Sequence, residues 1–403
     1  MNYKGLLALL LLTLPSSALP QVPDNPHSAE PIATVREVYD GTFLPDIGAN
    51  TFRNIDRLFS TRIVKAGEDV YALQQRSVSL GNFSYESRGS RYDYYDYLSL
   101  NRVSGLLAIK DGEIAVEEYQ LGNTEQTRWM SMSIAKSIIS TLIGAAIKDG
   151  YIDSLTSPIV DYIPELAGTA YEGVNVQQIL QMTSGVGWDE TYTNPESDRR
   201  DLLEAQISQE AGSMLAVMSK LPKVAEPGTR WNYSTGETQV AAQLLQSAIK
   251  RPISEYLSEK IWANMGMESD ANWWLESPGG IEVGGSGFSA TLRDYGRFGL
   301  FMLHEGVVNE QPLLPEGWMA QASKPNVIDG KEVAYGFMLW PQVNAQGTIH
   351  ENAYAAEGIF GQWIYVNPNE NVVIVVWGAQ SKPTPTNPVA DSDFFAALTR
   401  ALR

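Results

Sequence analysis

Ser133 and Lys136 stand three residues apart at the head of the apolar stretch Ile134 to Lys148. At the helical spacing i and i+3 they share a face, so the amine can reach the hydroxyl. Burial at a helix N-terminus disfavours the ammonium form and lowers the lysine pKa. A neutral lysine can then take the serine proton and make the hydroxyl a nucleophile. Other routes to an activated nucleophile are poorly supplied. The chain has no cysteine, three histidines (His27, His304 and His350), and no serine in a Gly-x-Ser-x-Gly turn. If it cleaves acyl bonds, lysine replaces histidine as the base. The competing reading is a lysine that lays its stem on apolar surface and keeps its head in water.

Two further clusters could complete such a site. Tyr233-Ser234-Thr235 follows Pro227-Gly228 and a tight connecting segment. A tyrosine on a loop between helices can pass a proton to a leaving group. Glu357-Gly358-Ile359-Phe360-Gly361-Gln362 leads into a strand. Glycines there let the backbone approach a substrate. The Ile359 amide, with the Ser133 amide at the helix start, could form an oxyanion hole. Thr235, Glu357 and Gly358 are candidates for substrate contact. Taken alone, packing explains the tyrosine and a simple strand-entry turn explains the glycines.

The elements that must position these groups follow from periodicity. Val103–Ile109 and Ile114–Tyr119 flank Lys110-Asp111-Gly112-Glu113 and predict an antiparallel hairpin turning at Asp-Gly. Ile134–Lys148 is apolar on nearly every side, so it belongs inside a core, and Gly150 ends it. Residues 151 to about 275 read as mainly helical: Val176–Met182, a long amphipathic segment Asp201–Leu221, Gly236–Lys250 and Ser254–Met265. Gly284–Ala290 reads as small and flexible, and Thr291–His304 as helical. Gln362–Val366 and Val372–Trp377 read as paired strands, and Asp391–Leu402 as a closing helix. Residues 19 to about 50 are proline-rich and read as an extended or poorly ordered arm. The tyrosine run Tyr92–Tyr97 reads as surface aromatics covering a neighbouring element. The fold class is α/β (α+β), an antiparallel sheet flanked by helices with an inserted all-helical domain. The expected division is an N-terminal extension at 19–100 and a main domain at 101–403. Within the main domain, 101–130 and 276–403 form the sheet part and 131–275 the helical part. Active sites favour the cleft between two such parts.

Composition narrows the partners. The 403 residues are 44% hydrophobic, ample for a large core. A net charge of −18 repels phosphate backbones and argues against nucleic acid. Residues 1–18 read as a secretory signal: Lys4, an apolar core Leu6–Leu14 too short to span a bilayer, Pro15, then Ser16-Ser17-Ala18. A periplasmic or secreted location follows as an expectation, with no second apolar run long enough to cross a membrane. With no cysteine and no clustered histidines, no metal or organic cofactor is implied.

The order Ser133-Ile134-Ala135-Lys136, Tyr233-Ser234-Thr235 and a glycine-rich turn before a late strand pair resembles the serine β-lactamase and penicillin-binding-protein superfamily. Within it the chain is similar to the class C β-lactamase branch, which includes carboxylesterases and 6-aminohexanoate-dimer hydrolases. The likeness extends to Leu180–Gly185, Trp188–Tyr192, Gly285–Arg293, Tyr335–Phe337 and Gly361–Pro368, and covers about residue 100 to the end. It implies a β-lactamase/transpeptidase-like fold. It also implies Ser133 as nucleophile, Lys136 as base, Tyr233 as proton shuttle and the Ser133 and Ile359 amides as oxyanion hole. Trp188 and Tyr192 fall where relatives build a substrate wall, though packing explains both equally well. Two departures matter. Thr235 stands where many β-lactamases carry asparagine. Ala353–Gly358 has no lysine or arginine where they carry Lys-Thr-Gly, and Glu357 there would repel a substrate carboxylate. The resemblance therefore implies a small neutral or cationic ester or amide substrate cleaved through an acyl-enzyme. A D-amino-acid or cell-wall peptidase (or weak β-lactamase), and a catalytically silent envelope binding protein, are the alternatives.

Overall fold

The computed structural model describes residues 25–342, 345–384 and 386–403. The signal-like residues 1–18 lie outside the described residues.

The predicted hairpin forms as strands β1 (Val103–Lys110) and β2 (Glu113–Tyr119). Asp111 and Gly112 both take positive φ, 54° and 83°, the backbone that a two-residue turn between twisted strands requires. The late strands follow: β3 (Trp340–Pro341), β4 (Tyr354–Gly358), β5 (Gln362–Asn367) and β6 (Val372–Gly378). The six form one antiparallel sheet in the order β3-β4-β5-β6-β1-β2. β6 shows why it is central. Val373, Val375 and Trp377 enter the main core, and Val372, Ile374 and Val376 enter a second core on the opposite face. A strand buried on both sides reads as an unbroken β-branched run.

Four helices frame the sheet. α1 (Ile134–Lys148) is buried continuously from Ile134 to Ala146 and packs between α2 (Thr235–Ile249) and strands β4 and β5. α3 (Leu292–Leu303) covers β1, β5 and β6, while α4 (Asp391–Ala401) closes the second core. The expected α/β (α+β) class and the helical insertion between early and late strands are both present. Among the described residues no helix is long and apolar enough to cross a membrane.

The structure corrects the sequence reading in four places. The described part of the supposed arm is folded. Val35–Asp40 is a helix with a Thr34/Glu37 capping box, and Pro45–Phe52 is another. Phe52 is fully buried, its ring 5.7 Å from Trp129 and 5.0 Å from Phe360. Thr61–Val64 then pairs with Ala271–Trp274, so the segment is built into the main body. The tyrosine run is a surface cover only in part: Tyr95 is exposed, whereas Tyr94 and Tyr97 are buried. Tyr97 is fully buried, stacked at 3.6 Å on Phe394, with its hydroxyl donating to Asp391.

Asp201–Leu221 is not one helix but two, Asp198–Ser208 and Ser213–Met218. Gln209 takes a left-handed φ of 55° and Gly212 one of 78°, which turns the chain between them. Gly284–Ala290 is neither loose nor exposed. It is entirely buried, and Phe288–Ala290 pairs with both Ala271–Trp274 and Trp129–Met130. A Cβ at Gly284 would lie 2.4 Å from the Thr238 carbonyl oxygen, and one at Gly285 would lie 2.5 Å from Thr235 Cγ2. These glycines serve close packing.

Candidate active site

Ser133 is held by a strand–turn–helix unit. Trp129–Met130 is pinned to Phe288–Ala290, and the Ser131 amide donates to the Phe288 carbonyl at 2.8 Å. Met132 then adopts φ 44°, a left-handed conformation that costs a side-chain-bearing residue roughly 1 kcal/mol or more. That bend presents Ser133, at the N-cap of α1, to a cavity of about 730 Å3. Two other clefts of similar volume hold neither Ser133 nor Tyr233, so chemistry rather than size selects this one.

Lys136 extends from the first turn of α1 and is 1% exposed. Its Nζ lies 3.0 Å from each of three atoms: Ser133 Oγ, Thr235 Oγ1 and the Gly285 carbonyl oxygen. All three partners are uncharged. Burial drives its pKa down from 10.5 to about 7; the Glu190 charge opposes that shift and Arg199 adds to it. The amine is therefore available as a free base near neutral pH.

Tyr233 immediately precedes the N-cap of α2. Its ring stacks on Trp340 at 5.6 Å and meets Tyr335 edge-on at 5.8 Å, and Lys136 Nζ sits 5.3 Å from its centroid. Burial raises the phenol far above its usual pKa, and the Glu190 charge adds to this; a hydrogen bond with the Ser133 hydroxyl pulls the other way. The two candidate proton carriers thus separate. Lys136 is poised to accept a proton, while Tyr233 stays a phenol that can give one.

The β4–β5 turn supplies the third part. Gly358 and Ile359 line the cavity. A Cβ on Gly358 would sit 2.4 Å from the Ser131 carbonyl oxygen and 3.1 Å from the Ser133 amide nitrogen, so only glycine allows this approach. Among the described residues, neither the Ser133 nor the Ile359 amide has an acceptor in the chain. Gln362 locks the turn to the strand that leads to Ser133. It accepts from Trp129 Nε1 at 3.0 Å and donates to the Gly378 carbonyl at 2.7 Å.

The remaining candidates divide. Tyr192 and Glu357 line the cavity. Glu357 is partly open to the cavity yet otherwise enclosed by protein, and no side chain or amide of the described residues hydrogen-bonds it. Burial, reinforced by nearby Asp391, pushes its carboxyl up to about 8. Trp188 and Thr235 are not on the cavity wall. Thr235 lies behind Lys136, and the Trp188 indole donates to Glu190. Glu190 is the residue that sequence reading left without a role. It accepts from Trp188 Nε1 at 2.5 Å, from the Thr235 amide at 2.9 Å and from the Thr235 hydroxyl at 2.5 Å. It also lines the cavity. The spacing of Trp188, Glu190 and Tyr192 was its one visible signal. None of the three histidines lines the cavity, and no group of three or more His, Cys, Asp or Glu among the described residues is arranged to hold a metal.

Known proteins resemble this chain. The β-lactamase family profile matches residues 102–397. The 6-aminohexanoate-dimer hydrolase of Paenarthrobacter ureafaciens is 28% identical over 283 residues, covering 67% of this chain and 70% of that one. A solved Bacillus anthracis structure, provisionally assigned to the 6-aminohexanoate-dimer hydrolases, superposes with a TM-score of 0.76 at 21% identity, covering 92% of this chain and 96% of that one. A family VIII carboxylesterase structure gives 0.56 at 16% identity, covering 74% and 91%. At these identities the two structures speak for the fold. The profile match runs from the threshold of the first sheet strand into the closing helix, and on that ground the chain belongs to the β-lactamase family.

Proposed function

We propose that this protein is an exported serine hydrolase that cleaves a small ester or amide through an acyl-enzyme. The observation that carries the reading is a buried amine, 3.0 Å from a cavity-facing hydroxyl, with neutral partners on every side. Lys136 takes the Ser133 proton as Oγ bonds to the substrate carbonyl carbon. The carbonyl oxygen gains the negative charge and meets the Ser133 and Ile359 amides. Tyr233 protonates the leaving oxygen or nitrogen as its bond to carbon breaks, and the Lys136 ammonium restores the tyrosine proton. Water then repeats the sequence on the acyl group. The curated relative's name specifies hydrolysis of an amide-linked dimer, which fits the amide branch of this reading. The signal-like pattern of residues 1–18 supports the periplasmic or secreted part of this reading.

A fluorophosphonate tests the reading directly. The folded protein is expected to gain the mass of one phosphonyl group, mapped by peptide analysis to Ser133. Unmodified protein after prolonged treatment would leave only the binding-protein alternative.

Substrate charge follows from Glu357. At pH 7 its carboxyl, with a pKa of about 8, is mostly protonated and tolerates a neutral substrate. Above pH 8 it is mostly ionised and attracts a cation. KM for an amine-bearing ester is therefore expected to fall by roughly tenfold between pH 7 and 9, a change worth about 1.4 kcal/mol. KM for a neutral isostere should hold steady, and Glu357→Gln should erase the difference. Parallel KM curves for the two esters in the wild-type enzyme would exclude this role. Once ionised, above pH 8, the same carboxylate disfavours the terminal carboxylate of a β-lactam or D-amino-acid peptide.

A further inference from the structure

Whether Lys136 can act as a base depends on which of its three neighbours faces the lone pair. A neutral amine has two N–H donors and one lone pair. The Gly285 carbonyl can only accept, so it takes one N–H. The hydroxyls of Ser133 and Thr235 can each donate or accept. Two arrangements therefore compete. In one, Thr235 accepts the second N–H and the lone pair faces Ser133. In the other, Thr235 donates to the lone pair, and Ser133 merely accepts an N–H and keeps its proton. Equal distances of 3.0 Å do not separate them.

Glu190 does. Its Oε1 lies 2.5 Å from Thr235 Oγ1, and a carboxylate offers acceptors only. The Thr235 hydrogen is thereby committed away from Lys136. The other oxygen, Oε2, accepts from two groups that can only donate, the Thr235 amide and the Trp188 indole. These fix the carboxylate in plane and in register. An asparagine at 235 would present an oxygen of fixed polarity by itself; a threonine needs a second residue to set its direction. We propose that Glu190 is a positioning residue that acts through the Thr235 hydroxyl to aim the Lys136 lone pair at Ser133. The inference rests on the hydrolase reading above and adds the residue that sets the direction of its proton transfer.

Charge gives the idea a signature. The Glu190 carboxylate raises the lysine's affinity for protons, opposing burial. Glu190→Gln should therefore move the acid limb of kcat/KM to lower pH. A side chain that served only to make a better base would then raise the rate at acid pH. A polarity-setting side chain lowers the plateau at the same time, because glutamine can turn its NH2 toward Thr235 and release the threonine hydrogen to the lysine. The two opposite movements together are not expected from a general loosening of the fold.

The experiment is a double-variant cycle on the full-length protein with a neutral ester, read as plateau kcat/KM and as the pH of the acid limb. Glu190→Gln is expected to lower the plateau by about tenfold or more, within the span of a general-base contribution. Thr235→Val should do at least as much, and Thr235→Ser, which keeps the hydroxyl, should restore most of the rate. In the Thr235→Val background Glu190→Gln should cost less than about twofold, because the path through the hydroxyl is already cut. Full additivity, or an unchanged Glu190→Gln plateau, overturns the proposal. Fluorophosphonate labelling of the wild-type enzyme keeps the two readings apart. Labelling with additive losses sinks only the role of Glu190, whereas no labelling and no turnover sinks the hydrolase itself.

Discussion

Lys136→Met is expected to abolish turnover while raising the melting temperature. The loss is the base, and removing a general base lowers rates by about 10²- to 10⁴-fold. The gain comes from what the fold does to this amine. Its pKa falls from 10.5 in the unfolded chain to about 7 in the folded one. Between those values the unfolded state binds more protons, so burying the amine costs stability. The cost is full below pH 7 and fades as pH rises toward 10.5. At pH 7 it is on the order of 4 kcal/mol, since each tenfold loss of proton affinity is worth about 1.4 kcal/mol. Methionine fills a similar volume without charge. It forfeits the hydrogen bonds to Thr235 and the Gly285 carbonyl, which returns about 1–3 kcal/mol. The balance favours the variant by a few degrees at pH 7, shrinking toward pH 10. Calorimetry at both pH values checks it. A variant that is inactive and also melts earlier at pH 7 would show that Lys136 is structural.

The plateau rate with a neutral ester is expected to fall tenfold per pH unit below about 7, reaching about 1% at pH 5. The sign follows from Lys136, because protonation removes the lone pair that must accept the serine proton. No matching alkaline limb should come from Tyr233, since burial keeps the phenol protonated well past its ordinary range. A neutral substrate keeps the Glu357 ionisation out of the measurement. Activity that is flat from pH 5 to 9, after correction for spontaneous hydrolysis, would rule out lysine as the base.

The proposed trio was legible because one part breaks a local rule and the family resemblance ties the other two to it. A lysine inside an otherwise greasy helix asks for a reason, whereas the tyrosine and the glycines, taken alone, read as packing and a turn. The sheet was legible where β-branched runs and the Asp111-Gly112 turn speak locally. What was hidden depends on distant partners. Phe52 is anchored by Trp129 and Phe360, which nothing near it in the chain announces. Gly284 to Gly287 look pliant until Thr238, Thr235 and Trp274 are packed against them. Glu190 gains its role from Thr235, 45 positions away, and Trp188, expected at the substrate wall, turns out to brace it from behind.

Phe52 has a consequence for where this enzyme begins. The matched family profile opens at residue 102, yet this ring sits against Phe360, next to Ile359 of the proposed oxyanion turn. The profile's border and the physical border therefore differ, and the Bacillus anthracis structure, matched over 92% of this chain, extends past the profile in the same way. An excised span 102–397 would carry every proposed reacting group and lack the ring that packs on Trp129 and Phe360 beside them.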